Sequence, residues 1–393
     1  MNGKQREKSS ISKLIHTPSR PKTHIDLIKI AAIFMVLYNH TGLSGYSMYR
    51  VELNQPWHWL ILAHSLLIRI AVPLFFMCSG ALLLGREESY SKVFFHRFLR
   101  FAIILVVASF IVYALNNRGV NSIASFISIL NWNTARDFFI RLYTNDISYT
   151  FWYLYSYLGY MLMLPLIRKI AVNMKRIDFI WIIVAFTITQ IIPITDYMVF
   201  HGEASLTKEI SFFVKTKYVI YPLIGYYVEH KIEKERLSPE TLVGLICLSV
   251  LTIGVSLILV DWSYEATGSW TDYIPECCLN ALTIIPTLTV YWGMKIIAPN
   301  SDAHPRFAKV VSIIADCTFG VYLFELLLRL HTLFIADFLK PRVGTFWAAW
   351  LQTLCACVIG IALTFVWKIA VGLFKMPVQS LLAYWKSKIA RDL

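Results

Sequence analysis

The chain has 393 residues, of which 57% are hydrophobic, 15% aromatic and only 16% charged. A water-soluble domain averages about 45–50% apolar and ~25% charged residues, so a soluble, disordered or disulfide-stapled protein is excluded. The formal charge of +13 fits basic loops on one face of a membrane better than a nucleic-acid surface, and no nucleic-acid partner is expected.

Residues 1–24 carry Lys4, Arg6, Lys8, Lys13, Arg20 and Lys22 with no hydrophobic period. They read as a basic cytoplasmic tail drawn to anionic lipid. The apolar stretch that follows contains Lys29 and lacks a small-residue cleavage site, which argues against a cleaved signal peptide. Residues 25–374 then hold ten blocks of about the length that spans a bilayer. They are 25–44, 57–84, 98–115, 150–167, 177–193, 211–228, 241–260, 273–296, 311–330 and 346–374. Alternate connections differ sharply in charge, with 24 Lys and Arg on one side against seven on the other. The positive-inside rule then puts both termini in the cytoplasm. The sequence therefore predicts an all-α polytopic bundle of ten transmembrane helices, followed by a cytoplasmic interfacial tail over 375–393. Residues 116–149, the longest outer connection, alternate apolar and polar residues and read as an amphipathic lid or an interfacial loop. There is no internal repeat and no second, soluble domain.

Ionisable groups at membrane depth are costly and mark functional cavities or buried ion pairs. The candidates are Lys29, His40, Arg69, Glu276, Asp316, Glu325 and Arg329. Lys29 and His40 are eleven positions apart, so at ~100° per residue they share one helix face, with about 16 Å between them along the axis. Lys29 lies towards the cytoplasmic end, where a cation can hold a phosphate or snorkel to headgroups. His40 lies deeper, where a neutral imidazole can take a proton or simply bond a neighbouring helix. Arg69, Glu276, Glu325 and Arg329 fall in the same outer half as His40. Glu325 and Arg329 are four apart, the spacing of an ordinary helical ion pair, and Asp316 sits near the inner end.

In the second block, Pro73 removes a backbone donor and can kink the helix. Ser79 and Gly80 lack bulk, so either another helix or a slender ligand can approach them. The seven cysteines are odd in number and lie in apolar runs, where the thiol acts as a small hydrophobe. No spacing suits a metal site, and none is expected. P-loop, G-x-S-x-G and H-E-x-x-H patterns are absent. Composition alone leaves three classes open: an enzyme, a secondary transporter of a sugar, lipid or organic anion, and a scaffold whose charges only hold helices together.

Four segments narrow the choice. Ile25-Asp26-Leu27-Ile28-Lys29 with Tyr38-Asn39-His40 places a basic residue, then ten positions, then a histidine. Arg69 leads into Val72-Pro73-Leu74-Phe75-Phe76-Met77-Cys78-Ser79-Gly80. Phe151-Trp152-Tyr153-Leu154-Tyr155 leads to Leu164-Pro165-Leu166, and Thr318-Phe319-Gly320-Val321-Tyr322-Leu323 comes late in the chain. Together they resemble the acyltransferase-3 family of membrane acyltransferases, which O-acylate cell-surface glycans and related molecules. The resemblance implies a multi-pass protein of a bacterial plasma membrane that draws an acyl group, usually acetyl, from acyl-coenzyme A (acetyl-CoA) in the cytoplasm. Its acceptor would be a hydroxyl of an envelope saccharide or lipid-linked sugar. By position it implies His40 as the catalytic base and Lys29 as a donor contact. Arg69, Phe75, Phe76, Ser79 and Gly80 would shape the donor tunnel, and Trp152 its outer end. Glu276, Glu325 and Arg329 stay assigned to the outer, acceptor-side cavity. Two positions depart from the pattern: many relatives carry His where this chain has Thr150, and again where it has Glu325.

Overall fold

The computed structural model describes residues 22–41, 57–200, 217–232, 238–268 and 282–392. Among the described residues there are helices and turns and no strand. Helix α1 (Thr23–Asn39) buries Ile25, Ile28, Ala32, Ile33, Val36 and Leu37. Helix α2 (His58–Leu83) contains a 3₁₀ turn at Ile68–Ile70. Pro73 explains the turn, because it cannot donate to the carbonyl of Arg69 and the helix tightens just before it. Helix α3 (Tyr90–Asn117) carries π turns at both ends. Two short helices follow, α4 (Ile123–Ser128) and α5 (Trp132–Thr144), then α6 (Trp152–Asn173) and α7 (Arg176–Phe200). The remainder are α8 (Lys217–His230), α9 (Pro239–Thr267), α10 (Ile284–Ile297), α11 (Pro305–Ala315), α12 (Thr318–Leu323) and α13 (Glu325–Asp392).

Among the described residues five helices are long and apolar enough to cross a membrane: α2, α3, α7, α9 and α13 up to Ile369. In α3, α7, α9 and α13 the apolar side chains face outward over much of the length, as lipid-facing helices require and water-facing ones cannot tolerate, whereas α2 is mostly buried inside the bundle. The protein is thus an all-α membrane helix bundle. Its centre is α1, packed against α2, α10, α11, α12 and α13. Where α2 meets α8 the backbones touch: a Cβ at Gly80 would overlap the carbonyl of Pro222, and one at Gly225 would overlap that of Met77.

Three boundaries differ from the sequence reading. Helix α3 begins at Tyr90, well before its apolar block, so basic residues expected in a connection belong to a helix. The block at 311–330 is three pieces, broken between α11 and α12 and again at Phe324. Finally, helix runs on past residue 330 through the expected connection, and α13 is interrupted at Gly344, two residues before the last block; the glycine's φ of 79° suits a residue without Cβ. The outer connection forms α4 and α5, with Ser122 capping the first and Asn131 the second. Phe138 is the buried anchor of α5, and Asp137 takes hydrogen bonds from Tyr113, Arg118 and Arg141.

Candidate functional site

A cavity of about 440 Å³ lies between α1, α2, α3, α6 and the α11–α12 break. One end is basic: Lys29 from α1 faces His96, Arg97 and Arg100 from α3, with Asp316 beside them. Its middle is lined by Phe75, Cys78 and Ser79 from α2, Phe101 from α3 and Tyr157 from α6. The Ser79 hydroxyl donates to the Tyr157 oxygen at 3.3 Å. The other end is bounded by Val36, Val72, Tyr153 and Tyr322.

The basic mouth is held by two buried carboxylates. Glu88, in the turn between α2 and α3, accepts from Arg97 at 2.6 and 2.7 Å and from Arg168 of α6 at 2.7 Å. Glu229, at the end of α8, binds Lys22 at 2.8 Å and His24 at 3.0 Å and accepts from Tyr291 at 3.2 Å. The two therefore tie the starts of α1 and α3 to α6, α8 and α10. The Arg97 hydrogen bond, aided by Arg168, pushes the Glu88 carboxyl down to about 2 from an ordinary 4.5, against the upward effect of burial. A carboxyl depressed in this way stabilises the fold above its unfolded value and loses that contribution as the pH falls through its folded value. Glu88→Gln is thus expected to lower stability by on the order of 2 kcal/mol at neutral pH. Its melting curve should converge on that of the wild type as the pH falls from about 4.5 towards 2; equal gaps across that range would refute the account.

Lys29 lines the mouth, but its ammonium already contacts Asp26 at 2.9 Å, one turn earlier on α1. Arg97 is engaged by Glu88, whereas Arg100 and His96 are exposed at the opening. The composition of loop charges hid these three. Arg97 and Arg100 count as generic inside-positive residues and nothing in the sequence singles out His96; only the early start of α3 puts them on a helix face beside Lys29.

His40 caps the C-terminal end of α1. It shares the face of Lys29 and Val36, but the cavity lining ends at Val36, four residues or about 6 Å short of it. Tyr153 and Tyr322 stand at that end, and the Tyr322 hydroxyl donates to the carbonyl of Thr150. Beyond them, His40 Nδ1 is 3.2 Å from Oε1 of Glu325. The same oxygen lies 3.6 Å from Nε of Arg329, the helical pair expected from the spacing. Tyr149 lies beside both side chains, its ring 5.6 Å from the imidazole and 5.8 Å from the Arg329 guanidinium carbon.

The other residues picked out by sequence fall as follows. Phe75 and Ser79 line the cavity. Phe76 is 1% exposed and packs among Tyr153, Tyr157, Tyr160 and Tyr218 instead. Gly80 meets the backbone of α8. Arg69 is half-buried on the 3₁₀ turn, outside the cavity lining. Trp152 starts α6 and packs on Tyr153 and Tyr218. Asp316 ends α11 at the basic mouth, where its carbonyl accepts from Lys368 at 2.6 Å. Glu276 lies outside the described residues. Among the described residues no three His, Cys, Asp or Glu side chains gather as metal ligands would.

Fold and site together define a helical membrane protein built around a cavity with a cationic mouth and a histidine–carboxylate pair just past its far end. A family model described as an acyltransferase domain matches residues 23–367, and the chain belongs to this acyltransferase-3 family. No curated protein and no solved structure matches it.

Proposed function

We propose that the protein is a membrane O-acyltransferase that moves an acyl group, in the first instance acetyl, from cytoplasmic acyl-CoA to a hydroxyl of a cell-envelope saccharide or lipid-linked sugar. The observation that carries this reading is the cavity itself, cationic at one end and ending one helical turn below His40. With ten spans and both termini in the cytoplasm, as the charge alternation implies, in the bacterial membrane that the resemblance implies, the basic mouth opens inward. There Arg100, His96, Arg97 and Lys29 face the phosphates of coenzyme A, and the aromatic middle admits the slender pantetheine arm.

The acceptor hydroxyl approaches His40 from the outer side, in a space bordered by Tyr149 and Arg329. His40 removes its proton as the oxygen attacks the thioester carbonyl, and the resulting imidazolium returns the proton to the departing CoA sulfur. The carbon–sulfur bond breaks and an ester forms. Thr150, Tyr153 and Tyr322 close the last turn between donor and base, so transfer requires the Tyr322–Thr150 hydrogen bond to open.

The test uses the protein in liposomes with acetyl-CoA on one side and envelope saccharide on the other. Acceptor-dependent release of CoA thiol with ester formation is expected. Saccharide accumulation without CoA would instead support a transporter and overturn the reading. Arg100→Ala removes an exposed phosphate partner and should raise the KM for acetyl-CoA about tenfold with kcat little changed. A normal donor KM in this variant would remove Arg100 from the donor site.

A further inference from the structure

We infer that Glu325 is the positioning residue for His40, holding Nδ1 so that Nε2 is the atom that takes the acceptor's proton. This rests on the reading of His40 as the base. It supplies a partner at a position where the resemblance implies histidine in many relatives.

The argument starts from burial. The Glu325 side chain is 1% exposed, and His40 is 14% exposed. A carboxylate at that depth is costly unless charges face it. Arg329 Nε faces it at 3.6 Å, and the His40 ring nitrogen Nδ1 stands closer, at 3.2 Å, both nearest Oε1. Neither oxygen of Glu325 is engaged in a hydrogen bond, and neither are His40 Nδ1 or Arg329 Nε. A purely structural Glu–Arg pair on one helix would close to the ~2.7–2.9 Å of a charge-assisted bond. Here the carboxylate is instead held nearer the imidazole, with bonding capacity uncommitted. Catalytic contacts of this kind are commonly long in the resting site and tighten when substrate arrives.

Chemistry then assigns the nitrogens. The ring nitrogen that faces an anion carries the proton, which leaves the lone pair on the other. Glu325 thus selects the tautomer with Nε2 free, and it stabilises the imidazolium formed during attack. The groups facing His40 are Glu325 and Arg329 from α13 and Tyr149 from the turn before α6, while Arg69 stands on the 3₁₀ turn packed against α1. Glu325 is the anion in that set. Without it, Arg329 is the charged side chain left beside the ring.

The experiment measures transfer by Glu325→Gln and Glu325→Asp in liposomes, alongside His40→Ala, with folded protein quantified by thermal melting. Glu325→Gln should lose roughly 10²-fold in kcat, with both KM values within about twofold. The acid limb of its pH–rate profile should move to lower pH, because the imidazolium has lost its anion. Glu325→Asp should recover part of the rate and of the limb. A Glu325→Gln enzyme whose rate per folded molecule and acid limb match the wild type overturns the inference. If His40→Ala is inactive in that experiment, the base reading survives the loss; if His40→Ala is active, the base reading itself has failed.

Discussion

His40→Ala is expected to reduce acyl transfer by roughly 10³-fold while leaving the acetyl-CoA-induced thermal shift in place. The two effects separate because the structure separates the parts. In the proposed reading the donor phosphates meet Lys29, Arg97 and Arg100 at the basic mouth, whereas His40 lies past the other end of the cavity. Helix α1 is anchored by Ile25, Ile28, Ala32, Ile33 and Leu37, all of which precede the histidine, so its packing survives the change. The alanine variant does leave Glu325 buried with Arg329 as its remaining charged neighbour, which costs stability. His40→Gln is therefore the companion variant. Its amide can donate towards Glu325 and fill the space but cannot accept and return a proton in the required range, so it should be folded and equally inactive. Transfer of radiolabelled acetyl to envelope saccharide, normalised to folded protein, is the measurement. Wild-type rates in either variant would remove His40 from the chemistry.

Much of the helical layout could be read from the apolar blocks. The block at 57–84 becomes α2 over His58–Leu83, and that at 241–260 lies within α9. Bilayer thickness sets a length that composition can report. The break between α11 and α12 was hidden, because it sits inside an apolar block where hydropathy is silent about backbone angles. The shared face of Lys29 and His40 was legible because helical periodicity needs no tertiary information. The Asp26 contact to Lys29 follows the same rule at a spacing of three. By contrast, Arg97 and Arg100 could not be told from ordinary loop charges until the start of α3 placed them. Nor could local sequence show that Glu325 turns towards His40, because that contact joins α1 to α13 across most of the chain.

Gly80→Ala and Gly225→Ala should each deplete folded protein, at a cost on the order of 3 kcal/mol, and for the same geometric reason. Met77 and Gly80 on α2 face Pro222 and Gly225 on α8, each glycine seated against the backbone opposite the other. In a bilayer no hydrophobic force drives helices together, so close backbone approach through small residues contributes a larger share of the packing. A methyl at either glycine overlaps a carbonyl that is itself locked in a helix, and no flexible side chain can give way. The helices must separate, which shifts α2 from the side opposite the one that carries Phe75 and Ser79 into the cavity. Activity should therefore fall in proportion to folded protein, and the donor KM of the remaining folded fraction should be near normal. This distinguishes packing from a direct part in the donor tunnel, the role that the resemblance implies for Gly80. A Gly80→Ala protein with wild-type abundance and melting but a raised KM for acetyl-CoA would show that the residue meets the donor and that α8 yields to the methyl group.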